Sequence, residues 1–237
     1  MTYIMPDYSG INRQTVIEST SQEAIMNSKF EGYREVAALD VSDPKVEEVE
    51  KVEDKPKIDM EIFEDKITGD YLGAIHIPVI GTSEPIYKSE GDYYLEHSYK
   101  KEYNKVGEVY LDDRTGTDLT GNGILLNGHA VPNGTKFGSF KKLLDVEEQP
   151  LVHLYNHSTQ SVVTYKMLFV SLIDGANSGI VMEFGSMLHR HQYYRNLYET
   201  SIKKWQAPTE GGEYLLLNSC AYIIDDGRYV VIAERVE

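Results

Sequence analysis

The chain has 237 residues, 41% hydrophobic and 26% charged, enough to bury a core and stay in solution. Its 38 acidic residues against 23 basic ones leave a net charge of -15, the wrong sign for a nucleic-acid footprint and one that favours cationic partners such as a free amine. One cysteine excludes an internal disulfide, and neither an apolar run of about 18 residues nor a basic-then-apolar leader at Met1 is present.

Residues 1–18 carry no pattern. Thr20 and Glu23 have the spacing of a capping box, and Met26, Phe30, Tyr33 and Ala37 recur at helical intervals, predicting an amphipathic helix. Asp40, Ser42, Asp43 and Pro44 end it. From Val41 to Lys57 the sequence is almost entirely Glu, Lys, Asp, Val and Pro, the composition of a solvated linker or a ragged helix. The chain is therefore expected to divide into a helical and acidic region over 1–57 and a β-rich domain over 58–237.

After Ile58, short β-rich runs alternate with clusters of Gly, Pro, Asn and Asp. The predicted strands are Leu72–Pro78, Pro85–Lys88, Gly107–Leu111, Gly123–Asn127, Leu151–Tyr155, Ser161–Ile173, Glu213–Ser219 and Arg228–Arg235. Many short strands separated by turn signals point to a barrel or a sandwich. Two helices interrupt them, one over Thr135–Leu144 and a longer one from Ser186 to Trp205. In the longer one Met187, His191, Tyr194, Tyr198, Ile202 and Trp205 keep a helical period.

Three residues stand out chemically. Cys220 ends the apolar run Tyr214–Leu217 just after Asn218 and Ser219 turn polar, and a strand end presents its side chain at a rim. The plain alternative is an inert core thiol. His129 follows the apolar run Ile124–Leu126 and the break at Gly128, again a strand end, and histidine is the usual partner that makes a thiol a nucleophile. Arg228 opens the run Arg228–Ala233, in which both alternating faces are apolar. It is either a strand-end arginine pairing with Asp225 or Asp226, or a donor to the charge that develops on a carbonyl oxygen. No HExxH and no cysteine cluster is present, so neither a metal nor another cofactor is expected.

At these residues the chain resembles the sortases, the class B branch in particular. The family pattern Thr-Leu-x-Thr-Cys followed by Arg on the next strand reads here Leu216-Leu217-Asn218-Ser219-Cys220 and then Arg228, and the histidine motif reads Asn127-Gly128-His129. Gly73–Pro78 resembles the first barrel strand, Tyr93-Tyr94-Leu95 and Gly107–Asp112 the stretch ahead of the histidine, and Phe137–Phe140 with Leu143 and Leu144 the short helix after it. Leu216, Ser219 and Asn127 depart from the usual residues, which bears on substrate preference more than on activity.

The resemblance implies a mainly β protein with added helices: an eight-stranded sortase-type β-barrel, an N-terminal helix and a long helix before the cysteine strand. It implies a thiol transpeptidase in which Cys220 attacks a C-terminal sorting motif of a secreted surface protein or pilin. Arg228 and the backbone N–H of Ala221 face the oxyanion, His129 moves the proton, and Ser219 and Asn127 touch the substrate. The acceptor amine belongs to a cell-wall peptide or to a pilin lysine, and both stay open. Such enzymes work on the outer face of the membrane of Gram-positive bacteria through an N-terminal anchor, so the chain is expected to be an ectodomain without it. Two other readings stand beside this one: a cysteine peptidase that passes the acyl group to water, and a non-enzymatic surface-binding domain with Cys220 buried.

Overall fold

From Tyr71 onward the alternating apolar runs pair into a closed barrel in the computed structural model, which describes residue 58, residues 61–175 and residues 179–236. The predicted helix over 20–37 and the acidic stretch 41–57 lie outside the described residues. The strands are β1 (Tyr71–Ile77), β2 (Thr82–Lys88), β3 (Val109–Leu111), β4 (Gly123–Asn127), β5 (Leu151–Asn156), β6 (Ser161–Asp174), β7 (Lys203–Lys204), β8 (Tyr214–Cys220) and β9 (Gly227–Arg235). Their order is β5-β1-β2-β3-β4-β8-β9-β6, and β6 pairs back onto β5 to close eight strands, with β7 lying along β6.

All eight predicted strands are present. β2 starts at Thr82 rather than at Pro85, because Pro85 pairs with Ala74 on one side while the parallel pairing with β3 begins only at Ile86. A proline is tolerated where one side of a strand has no partner. Closure depends on β6, whose 14 residues serve two neighbours. Its first half pairs with β5 and its second with β9, and a register shift between Met167 and Phe169 bends it from one to the other.

Both faces of β4, β8 and β9 are buried, which explains their unbroken apolar runs. Leu126, Leu217, Val231 and Ala233 point into the barrel. Leu125, Leu216, Val230 and Ile232 point outward, under Tyr194, Tyr198 and Leu197 of helix α1 (Met187–Glu199). Ser186 caps α1 by accepting the N–H of His189, and Arg190 fastens it to the wall by donating to the carbonyl of Gly212 at 2.9 Å.

Both predicted internal helices are shorter than expected. α1 stops at Glu199 instead of reaching Trp205, because Lys203 and Lys204 become β7 and the N–H groups of Ile202 and Trp205 donate to Val170 and Leu168 of β6. The face expected to run through Met187 and Ile202 is exposed at those two positions, and the packing centres on Tyr194. The helix expected over 135–144 is a short 3-10 helix, Phe140–Asp145, preceded by turns.

One histidine in the wall, His153, is sensitive to acid. His76 and His153 oppose each other across β1 and β5 with ring centroids 6.2 Å apart. Their Nδ1 atoms are hydrogen-bonded to the hydroxyls of Ser83 and Thr164. Burial, and then the neighbouring His76, holds His153 below the usual imidazole value. The unfolded chain therefore binds a proton that the folded chain refuses, so this contribution to stability is full above about pH 6.5 and is lost as the pH falls below it. His153→Gln is expected to flatten the dependence of Tm on pH between about 7 and 5, where the unmodified protein loses stability. Parallel curves for the two proteins would contradict the assignment.

Candidate active site

Strand pairing alone assembles three chemically distinct side chains. β8 lies between β4, with which it runs parallel, and β9, with which it runs antiparallel. The register sets Asn127 beside Asn218 and Cys220 beside Arg228. These four share the outward face of Leu125, Leu216 and Val230, beyond the part that α1 covers. The chain turns at Gly128 immediately after β4 and puts His129 at the same end. Cys220, His129, Arg228, Asn127 and Asn218 line one cleft of about 250 Å³.

Cys220 is half-buried, at the rim and not in the core. His129 is held from both sides. Its Nε2 lies 2.9 Å from the carbonyl oxygen of Leu95, and since a carbonyl only accepts, Nε2 carries the hydrogen. In the neutral ring this leaves Nδ1 as the basic nitrogen. Its own carbonyl accepts the N–H of Phe137 at 2.9 Å. That turn packs so closely that a Cβ on Gly138 would lie 1.9 Å from the carbonyl oxygen of Val131. Among the described residues no hydrogen bond joins Cys220 to His129.

Arg228 folds back on the β8–β9 turn. Its Nη2 pairs with Asp226 at 2.9 Å and its Nη1 donates to the carbonyl of Gly227 at 3.1 Å. Both partners are partly open to solvent, so the pair is a weak tether. The turn corrects one expectation. The N–H of Ala221 donates to the carbonyl of Gly227 at 2.7 Å, and Ala221 is buried, so this donor is already engaged and does not face the cleft. Ser219 lines the cleft but is buried, on the strand face opposite to Cys220.

A polar row floors the cleft, and of its members the sequence singled out only Asn127 as a site residue. Asn218 Nδ2 donates to Asn127 Oδ1 at 2.8 Å, Asn127 Nδ2 donates to Asp112 at 3.0 Å, and Arg114 grips Asp112 through Nε and Nη2. Burial pushes the Asp112 carboxyl up, but the hydrogen bonds from Arg114 and Asn127 outweigh it and hold the group below the usual carboxylate range. Beside it burial, and then a hydrogen bond to Asp92, pushes the Tyr110 phenol up, so Tyr110 remains a hydrogen-bond donor. The signal for this row was a carboxylate directly after the short run Val109–Leu111, and the asparagine two residues ahead of Cys220.

No family model matches the sequence. Over 81 residues it is 31% identical to sortase B of Listeria monocytogenes, a match covering 34% of this chain and about a third, 33%, of that protein's length. The structure superposes on sortase B of Clostridium perfringens with a TM-score of 0.65 at 20% identity, over 75% of this chain and 99% of that one. It superposes on sortase B from B. anthracis in complex with AAEK2 with a TM-score of 0.64 at 23% identity, over 75% of this chain and 82% of that one. A sortase B–substrate complex from Staphylococcus aureus gives 0.62 at 19% identity, over 73% of this chain and 82% of that one. The fold is that of the class B sortases.

A half-buried thiol at a cleft rim is within reach of a small reagent in the folded protein. Iodoacetamide is expected to add once to the native protein and not at all to Cys220→Ser, read by intact mass. Labelling that appears only after denaturation would show that the thiol is core-buried.

Proposed function

We propose that this chain, with the fold of the class B sortases and a sequence match to one of them, is a cysteine transpeptidase. Its substrate is a short C-terminal sorting motif of a secreted surface protein or pilin. Its acceptor is an amine on a cell-wall peptide or a pilin lysine, at the outer face of the membrane of a Gram-positive bacterium. The observation that carries this reading is the register that sets Cys220 opposite Arg228 on paired strands, with His129 at the end of β4 in the same cleft.

The chemistry follows from the groups. Cys220, as thiolate, attacks the carbonyl carbon of the motif's threonine, and the carbonyl oxygen takes up negative charge. Arg228 meets that charge. Its tether to Asp226 is a solvent-open pair worth about 1 kcal/mol or less, so the developing oxyanion competes for the guanidinium. His129, protonated, gives the proton on Nδ1 to the leaving amine as the C–N bond breaks, while its Nε2–H stays on Leu95. The acyl group is then a thioester on Cys220. An incoming amine attacks it, passes its proton to Nδ1 of His129, and restores the thiolate. Asn127 and Asn218 offer the polar floor on which an extended peptide lies.

The test is intact mass after mixing the protein with a panel of sorting-motif peptides. An acyl adduct is expected on the native protein, absent in Cys220→Ala and discharged by an added amine. An adduct that discharges at the same rate with or without amine would make the protein a peptidase, and no adduct with any peptide would sink both. Arg228→Ala is expected to slow acylation about 10²–10³-fold, and His129→Gln about 10²–10⁴-fold. Asp226→Asn, which frees the guanidinium, is expected to raise the rate by no more than about fivefold.

A further inference from the structure

The charged groups buried deepest near the cleft do not touch it. Lys136, only 9% exposed, sits between Glu84 (9%) and Glu108 (6%). Glu84 grips it at both ends: Oε1 accepts the backbone N–H of Lys136 at 2.7 Å, and Oε2 accepts its Nζ at 3.1 Å. Nζ also donates to Oε2 of Glu108. Lys136 holds φ = +55°, an uncommon conformation for a side-chain-bearing residue that persists where the surroundings over-determine it.

The connections of this cluster lead to His129 from two directions. Lys136 bridges to Ala130 and precedes Phe137, whose N–H donates to the His129 carbonyl. Glu108 uses its other oxygen, Oε1, to accept the N–H of Tyr99 at 3.1 Å, and its own N–H donates to the carbonyl of Tyr94. Tyr94 and Tyr99 flank the segment that presents the Leu95 carbonyl to His129 Nε2. One buried salt bridge thus ties the turn that carries the histidine to the segment that fixes its tautomer. A buried ion cluster of this kind is poor evidence for stability, since apolar replacements often match it, but it does fix geometry.

We propose that Lys136, through Glu84 and Glu108, is a positioning residue for His129, setting the ring where its Nε2 meets Leu95 and its Nδ1 serves the cleft. The proposal rests on the reading of His129 as the proton carrier. Its test uses Lys136→Met, Glu108→Gln and the double variant in the full chain. The readouts are Tm, the pH profile of kcat on the cleaved peptide, and the ring ¹⁵N signals of His129.

The wild-type ring is expected to show the Nε2–H tautomer. In Lys136→Met that signal should give way to a mixture of tautomers, kcat should fall on the order of a hundredfold at unchanged KM, and the limb of the pH profile set by His129 should move. The double variant removes one of the two carboxylates that lose their lysine, while Glu84 keeps the backbone N–H of residue 136, so Tm should recover in part while kcat and the ring signals do not. Asp92, Asp112, Arg114 and Arg228, which share the cleft, are untouched by these changes. If Lys136→Met does not fold, Glu108→Gln carries the test, because the amide keeps an acceptor for Tyr99 while removing a charge from Lys136. Wild-type ring signals and kcat in a folded variant would overturn the proposal, as would a double variant that regains kcat together with Tm. The ring spectrum needs no substrate, so a wild-type protein that cleaves no peptide would sink the functional reading while the spectrum still decides on the positioning role.

Discussion

The site depends on the placement of β8 between β4 and β9. A strand paired on both sides has its register fixed twice, and here the two pairings act on the same end of it. The antiparallel partner puts a guanidinium beside the thiol, and the parallel partner puts an asparagine, and then a histidine, one strand away. Slipping β8 by one residue would turn Asn218 and Cys220 into the barrel and Leu215 and Leu217 out. The apolar burial that holds β8 in register therefore also places the polar groups at its end.

That constraint explains what was legible in the sequence. A strand buried on both faces reads as an unbroken apolar run, so Leu215–Leu217 and Val230–Ala233 announced themselves, and the change to Asn218-Ser219-Cys220 marked where the wall ends. The long helix was legible through its period but not through its end. Ile202 and Trp205 fit the same spacing, yet their N–H groups go to β6, a tertiary partner that local pattern does not contain.

What stayed hidden has a common physical character. The acceptor for His129 is the carbonyl of Leu95, and main-chain groups have no residue signature. The engagement of the Ala221 N–H by Gly227 is a property of a turn's shape. Lys136 lies 52 and 28 positions from its two glutamates, and each of the three, taken singly, reads as an ordinary surface charge in an acidic chain. Spacing reveals groups that lie on one strand or helix, but not groups that meet only once the barrel has closed.

The distance along the chain between the partners at the site has a kinetic meaning. Asn127 and Asn218 touch across 91 positions, and Cys220 belongs to the penultimate strand. Contacts of such high contact order form late and slowly, after loop-closure entropy has been met. Until then the thiol has no guanidinium at its side and no oriented imidazole, and behaves as an ordinary free cysteine. The chain thus carries only an ordinary thiol while it is unfolded, and the thiol, guanidinium and imidazole come to share one cleft only with the pairing that completes the barrel.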